Sequence, residues 1–227
     1  MVIQKGYYDK KLSAEKLKRV YDIAPPRVKQ YLQAEIDHVL ARVRKSDNVL
    51  DLGCGYGRTL EALSERSKAV WGVDTSIDSL KQASESLESL VNCHLAQMNA
   101  VSLGFGDKQF DLTICIQNGI SAFKVDQLEL IKECLRVTKP GGRALFSTYS
   151  EKFWADRLEW FEIQAANGLL GRIDYDRTGN GIIVCEDGFK ATTIGPDRFK
   201  SLISGLNMKS QIIEVDNSSL FCEILVE

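Results

Sequence analysis

The 227-residue sequence lacks any long hydrophobic run. No stretch approaches the roughly 18 consecutive apolar residues of a membrane-spanning helix, and the opening MVIQKGYYDKK has no apolar segment typical of a signal peptide. We therefore expect a cytoplasmic protein without a membrane partner. The formal net charge is −2, so the composition gives no overall attraction to nucleic acid.

Paired cysteines and histidine clusters are also missing. The six cysteines stand singly, without the close spacing that binds zinc or marks a thiol redox centre, and most are expected to be buried apolar residues. Of the two histidines, His94 begins a predicted strand far from the expected chemistry. His38 shares a helix face with Tyr31, Glu35 and Arg42, which we expect to face solvent. The sequence thus predicts neither a metal site nor a histidine base.

What is present from residue 48 onward is an alternation of short apolar strands with amphipathic helices, which is typical of a parallel sheet built from βαβ units. The predicted strands are 48–52, 69–73, 93–97, 111–116 and 143–148. The predicted helices between them are 58–65, 77–90 and 126–137. Pro140, Gly141 and Gly142 predict a tight turn directly before the fifth strand.

Four regions are expected along the chain. Residues 1–45 hold N-terminal cap helices, residues 46–150 form the core, residues 151–194 form an insertion, and residues 195–227 add a helix and a closing hairpin that turns at Asp216. The insertion combines an aromatic helix at 151–161 with a β-hairpin. An aromatic stripe of this kind is most often part of a core.

The stretch VLDLGCGYGR carries the first chemical signal. Gly53, Gly55 and Gly57 follow a predicted strand and precede a helix, so they allow a sharp turn and a close approach of a ligand to the main chain. A dinucleotide site has the pattern G-x-G-x-x-G, but Arg58 stands at its third glycine position. Asp51 near the strand end needs a partner, such as loop amides or a cationic ligand.

Asp74 supplies the second signal. It ends the second strand, 21 residues after Gly53, where an acidic side chain accepts hydrogen bonds from both hydroxyls of a ribose. A ligand with a ribose and a positive charge would satisfy both Asp51 and Asp74.

In this order and spacing, VLDLGCGYGR, GVDTS, FDLTICIQNG and LRVTKPGGRALFST resemble the motifs of the class I S-adenosylmethionine-dependent methyltransferases, closest in style to the small-molecule enzymes. The resemblance covers roughly residues 46–150. It implies a Rossmann-like α/β fold with a seven-stranded, mostly parallel sheet whose last strand is antiparallel. It also implies S-adenosyl-L-methionine as the cofactor and a small molecule as the methyl acceptor.

Carried to this sequence, the resemblance places the methionine part of the cofactor over Gly53, Cys54 and Gly55, with Asp51 serving its amino group and Asp74 its ribose. Two further groups are implied beside the adenine and the sulfonium. They are Thr75, Asn99 and Ala100 at the adenine, and Cys115, Ile116 and Gln117 at the sulfonium. Asn99 stands where the family often has an acidic residue.

The acceptor side is less marked. Gln117 and Asn118 occupy the loop where the family positions its acceptor, and as amides they can orient a substrate but are not strong bases; loop capping is the alternative. Tyr149 is a further candidate at the end of the fifth strand. The insertion, together with Tyr7 and Tyr8, is expected to form a substrate-covering lid.

Other functions stay open from the sequence. They are methylation of a protein or RNA, a domain that binds the cofactor without catalysis, and a nicotinamide-dependent dehydrogenase. Arg58 and the closing hairpin argue against the dehydrogenase. The nearly neutral charge argues against a nucleic-acid substrate.

Overall fold

The computed structural model describes residues 7, 12 and 14–227; Tyr8, which is predicted to belong to the lid, lies outside them. Two N-terminal helices, α1 (Glu15–Asp22) and α2 (Pro26–Leu40), precede the sheet. Pro26 is the first residue of α2, a position that suits proline because it needs no backbone N–H donor.

The core alternates strands and helices as predicted. Its elements are β1 (Asn48–Leu52), α3 (Leu60–Arg66), β2 (Ala69–Asp74), α4 (Ile77–Ser86), β3 (Cys93–Gln97), β4 (Phe110–Cys115), α5 (Gly119–Ala122), α6 (Gln127–Val137) and β5 (Thr138–Tyr149). Side chains from both faces of this sheet are buried under the helices, as a parallel sheet requires.

The remaining elements form the insertion and the closing segment. They are a 3₁₀ turn (Glu151–Phe153), α7 (Trp154–Ala166), the hairpin β6 (Ile183–Val184) and β7 (Lys190–Ala191), α8 (Pro196–Ile203), β8 (Lys209–Val215) and β9 (Ser219–Leu225). The hairpin of β8 and β9 turns at Asp216 and Asn217, both with positive φ, as predicted.

Seven strands form one sheet in the order β3-β2-β1-β4-β5-β9-β8. Strands β1 to β5 pair in parallel, and β9 lies antiparallel between β5 and β8. This confirms the predicted fold class. The strand order reverses next to β1, because β2 and β3 lie on one side of it and β4 and β5 lie on the other. Ligands of open α/β sheets bind outside the carboxyl ends of the strands at such a reversal.

The predicted turn at Pro140 is wrong, because β5 already begins at Thr138 and continues through it. Gly141 donates its N–H to the carbonyl of Val226, and Gly142 accepts from the N–H of Val226. Gly141 has a φ of +79°, and the register with β4 shifts at this point. The C-terminal residues therefore hold the glycines in a bulged strand.

The predicted solvent-facing side of α2 is also wrong. Tyr31 and Glu35 are fully buried, and Tyr31 packs against the ring of Phe153 with centroids 4.9 Å apart. His38 pairs with buried Glu223 of β9 at 2.8 Å. Helix α2 lies between the sheet and the insertion, so it is covered on two faces rather than one.

The insertion and the N-terminal helices share a second apolar core. Trp160 and Phe161 of α7 and Phe189 of the hairpin are buried in it beside residues of α1 and α2. The indole N–H of Trp160 donates to the carbonyl of Val20 over 3.0 Å. In the described part of the chain, no helix has both the length and the apolar character needed to cross a membrane.

Candidate functional site

A cavity of about 420 Å³ lies at the carboxyl ends of β1, β2 and β4. The glycine loop between β1 and α3 lines it, together with residues of α1 and of the insertion hairpin. Its volume is within the range of small-molecule sites, roughly 300–1,000 Å³. The cavity therefore occupies the place where the strand order predicts a ligand.

The three glycines of the loop are required by conformation and by packing. Gly53, Gly55 and Gly57 have φ values of +76°, +55° and +88°, a region that side chains rarely adopt. A Cβ at Gly53 would lie 2.5 Å from the ring of Phe123, and one at Gly57 would lie 2.8 Å from Leu87, which directly follows α4. Packing of protein side chains against the loop thus explains part of the need for glycine that the sequence analysis attributed to a ligand.

Asp51 at the end of β1 is a buried carboxylate beside the cavity. The hydroxyl of Thr59 donates a hydrogen bond to it. Burial raises the pKa of Asp51 to about 6, although the Thr59 bond and the charge of Arg58 lower it, and Asp74 raises it further. A cationic ligand would lower this pKa and restore the charged form.

Asp74 at the end of β2 is fixed by main-chain donors. The Gly55 N–H donates to its Oδ2 over 2.9 Å, and the Ser76 N–H donates to its Oδ1 over 2.8 Å. These bonds connect the glycine loop to the start of α4. They hold the carboxylate at the cavity wall.

The structure gathers most of the predicted cofactor residues around this one cavity. Its lining includes Asp51, Gly53, Cys54, Gly55, Asp74, Thr75, Asn99, Ala100, Ile116 and Gln117. Cys115 is fully buried and is not among the lining residues. The carbonyl oxygen of the Asn99 side chain accepts from the Val101 N–H over 3.1 Å, so it already caps a turn.

Gln117 is held from behind by a buried network. Its N–H donates to Glu35 Oε2 over 3.0 Å and to Ser147 Oγ over 2.8 Å. Burial raises the pKa of Glu35, although hydrogen bonds from Ser147 and Ser219 lower it. Gln117 has a φ of +54°. Non-glycine residues keep such a conformation where the surroundings fix them, often at functional sites.

The side chain of Gln117 lies at the cavity between Tyr21 of α1 and Arg58, which follows the glycine loop. Its amide nitrogen lies 2.9 Å from the Tyr21 hydroxyl, and its amide oxygen faces the guanidinium of Arg58. Arg58 lies over the Tyr21 ring at 5.2 Å. Burial raises the pKa of Tyr21, so this hydroxyl stays neutral.

Asn118 and Tyr149 do not line the main cavity. The Asn118 amide donates to the Thr192 carbonyl and accepts from the Thr148 hydroxyl, each over 2.9 Å. These bonds link the loop after β4 to β5 and to the segment that follows β7. Tyr149 is buried against Tyr31, with centroids 5.3 Å apart, and lines a neighbouring cavity of about 50 Å³.

Several lining residues were missed from the sequence. Tyr21, Tyr56, Phe123, Lys124, Phe189 and Lys190 reach the cavity from four separate segments. Only Tyr56 lies within a quoted motif, so no local pattern identifies the others. The lining includes no histidine, and no metal-binding group of three histidine, cysteine or acidic side chains occurs among the residues that the structure describes.

Known proteins resemble this chain in sequence. A family model described as a methyltransferase domain matches residues 49–142. The malonyl-[acyl-carrier protein] O-methyltransferase of Marinomonas sp. is 40% identical over 114 residues, which cover 48% of this chain and 40% of that protein. The ubiquinone biosynthesis O-methyltransferase of Coxiella burnetii is 32% identical over 145 residues, which cover 63% of this chain and 57% of that protein.

The fold also matches solved structures. The N-methyltransferase NodS of Bradyrhizobium japonicum, crystallised with S-adenosyl-L-homocysteine, superposes with a TM-score of 0.61 at 15% identity, covering 95% of this chain and 94% of that one. The chain spans about half the length of the curated relatives that it matches.

Proposed function

We propose that the chain contains a class I S-adenosylmethionine-dependent methyltransferase domain, a proposal that the match of residues 49–142 to a methyltransferase-domain model supports, and that it transfers a methyl group from S-adenosyl-L-methionine to a small-molecule acceptor by in-line displacement. The observation that carries the proposal is the single cavity that brings Asp51, the glycine loop and Asp74 together at the reversal of the strand order.

The residues present fit the cofactor. Asp51 is a buried carboxylate that would gain a partner in the cofactor ammonium, and Arg58 is a cation that would pair with its carboxylate. Asp74 would accept hydrogen bonds from the ribose hydroxyls, and Thr75 and Ala100 would lie beside the adenine.

S-adenosyl-L-methionine supplies an already activated methyl group when it is bound. The remaining task of the protein is to align the acceptor and exclude water, and orientation alone can contribute roughly 7–11 kcal/mol. Gln117 suits this task because Glu35 and Ser147 fix its main chain while its amide faces the cavity. The Tyr21 hydroxyl keeps that amide in place.

A dedicated base is not part of the proposed mechanism. Among the described residues, the lining has no histidine or glutamate, and the carboxylates of Asp51 and Asp74 are assigned to the cofactor. The acceptor atom therefore has a proton acidic enough to leave without a strong base, or carries none. An oxygen acceptor agrees with the names of the two curated relatives, both of which are O-methyltransferases.

The test is methyl transfer from cofactor labelled in its methyl group to a cell metabolite extract, followed by mass spectrometry. We expect one small-molecule product that carries the labelled methyl and depends on the protein. Label in protein or RNA instead would contradict a small-molecule acceptor. A variant with Asp74→Ala serves as the control for background transfer, because it lacks the ribose contact.

A further inference from the structure

Two lysines line the cavity from different parts of the fold. Lys124 follows α5 in the core, and Lys190 begins β7 of the insertion hairpin. Within the described part of the chain neither lysine forms an ion pair or hydrogen bond through its ammonium group. Two positive charges therefore reach the cavity without compensation.

The charges of described residues that act on Lys124 are positive. Burial lowers the pKa of Lys124, and the neighbouring charges of Lys190 and Arg157 lower it further. Because like charges repel, the free site holds unfavourable electrostatic energy. An anion bound between Lys124 and Lys190 would offset this repulsion and would connect the core to the insertion.

The backbone at Lys124 gives a second, independent observation. Lys124 has a φ of +56° and directly follows the cap residue of α5. This position after a helix favours glycine or asparagine. A lysine here carries a strain of roughly 1 kcal/mol.

The surroundings of the lysines are apolar. Phe123, Val125 and Phe189 line the cavity beside them in sequence. Phe189 is buried and packs edge-on against Tyr7, with centroids 4.9 Å apart. The cavity thus combines the carboxylates of the strand ends with a second region that is cationic and aromatic.

We propose that Lys124 and Lys190 bind the anionic group, a carboxylate or a phosphate, of an amphipathic methyl acceptor whose apolar part contacts Phe123 and Phe189. That the ligand is the acceptor rests on the proposed function, whereas the anion site itself rests on the two lysines and the cavity. The anion is the anchor of the acceptor and bridges the core to the hairpin.

Three probes of equal chain length test the site: octanoate, octyl phosphate and octanamide. Each is titrated calorimetrically into the free protein and into the protein saturated with S-adenosylhomocysteine. We expect at least one anionic probe to bind about tenfold or more tightly than octanamide, a difference of about 1.4 kcal/mol. The preference between octanoate and octyl phosphate identifies the source of the anionic group.

Lys124→Ala and Lys190→Ala are each expected to weaken the anionic probe about fivefold and to leave octanamide unchanged. Lys200→Ala is the matched control, since Lys200 lies on α8 in an exposed pair with Asp197. Its affinities should equal those of the unmodified protein. Circular dichroism melting confirms that the variants fold.

Equal affinities of the three probes, absence of binding by both anions, or lysine variants that bind like the unmodified protein would overturn the anion site. Failure of S-adenosylhomocysteine to bind would instead overturn the proposed function. In that case lysine-dependent binding of an anionic probe to the free protein still supports the site.

Discussion

Asp51 shows how a functional carboxylate lowers the stability of the free protein. Burial raises its pKa to about 6 from an ordinary 3.8. The folded state then holds the proton more tightly than the unfolded state, so stability falls between pH 4 and pH 6, and the penalty is complete above pH 6. At 1.36 kcal/mol per pKa unit it amounts to about 3 kcal/mol.

Asp51→Asn is therefore expected to stabilise the ligand-free protein at pH 8 by about 1–3 kcal/mol and by much less at pH 5. Urea unfolding at the two pH values measures this difference. Asp78→Asn is the control, because Asp78 is exposed in the first turn of α4. Equal stability of the unmodified protein and Asp51→Asn at pH 8 would contradict the raised pKa.

The same carboxylate predicts a pH-dependent affinity for the cofactor product. Because the ammonium of S-adenosylhomocysteine favours ionised Asp51, lowering the pH from 7.5 to 5 should weaken binding about tenfold. Asp51→Asn should bind more weakly at pH 7.5 and lose most of this pH dependence. Calorimetric titrations across this range would refute the assignment if the two proteins showed parallel profiles.

Asp74 predicts a loss of affinity of a different kind. Asp74→Ala removes a charged acceptor of ribose hydroxyls and should weaken S-adenosylhomocysteine about tenfold or more, since hydrogen bonds to charged groups contribute roughly 1.5–3 kcal/mol. Asp78→Ala again serves as the exposed control. A loss below about 1 kcal/mol in a folded Asp74→Ala protein is incompatible with the assigned contact.

At the scale of the elements, a substitution in the glycine loop tests whether backbone conformation and packing require glycine there, independently of a ligand. Gly57→Ala places a Cβ at a φ of +88° and 2.8 Å from Leu87, so it should destabilise the free protein by about 2–4 kcal/mol. Gly106→Ala meets only ordinary contacts from 3.6 Å outward and should change stability by less than about 1 kcal/mol. Equal midpoints of urea unfolding for the two variants would contradict the packing account.

The strands were predictable because each is a short apolar run that ends at a polar or glycine residue. The predictions for β1 and β3 match the observed bounds. The start of β5 was not predictable, since Gly141 and Gly142 favour a turn locally and only the distant Val226 pairs with them. The prediction that one face of α2 is exposed to solvent was wrong for a related reason. Tyr31 on this face packs against Phe153, which is 122 positions further along the chain.

The residues of the candidate site likewise fall into those that could be predicted from the sequence and those that could not. Asp51, the glycines and Asp74 follow strands in the sequence, and strand ends of a parallel sheet meet at one edge. Tyr21 and Lys190 come from the N-terminal helix and the hairpin, which have no periodicity that directs them to the cavity. The residues proposed to bind the cofactor could therefore be predicted from the sequence. The residues proposed to bind the acceptor could be located only in the folded structure.

At the scale of the whole molecule, the N-terminal helices and the insertion pack on each other above the cavity lining. Trp160 bonds to Val20, and the Tyr7 hydroxyl donates to Asp187 of the hairpin. Tyr7 and Phe189 also line the cavity. We infer that these segments act together as the substrate-covering lid that the sequence suggested.

This lid predicts slower hydrogen exchange on ligand binding. Amides of α1 and of the β6–β7 hairpin should become more protected when S-adenosylhomocysteine and an anionic probe are bound together, because closure joins Lys124 to Lys190. The amides of β8 should not change. Unaltered exchange in α1 and the hairpin would disprove the lid.

Binding of S-adenosylhomocysteine to the unmodified protein tests the central claim most directly. An isothermal titration should show saturable binding of one molecule per chain, as expected for the cavity that Asp51 and Asp74 line together. A folded protein that gives no binding heat and no thermal stabilisation with this ligand would contradict the account.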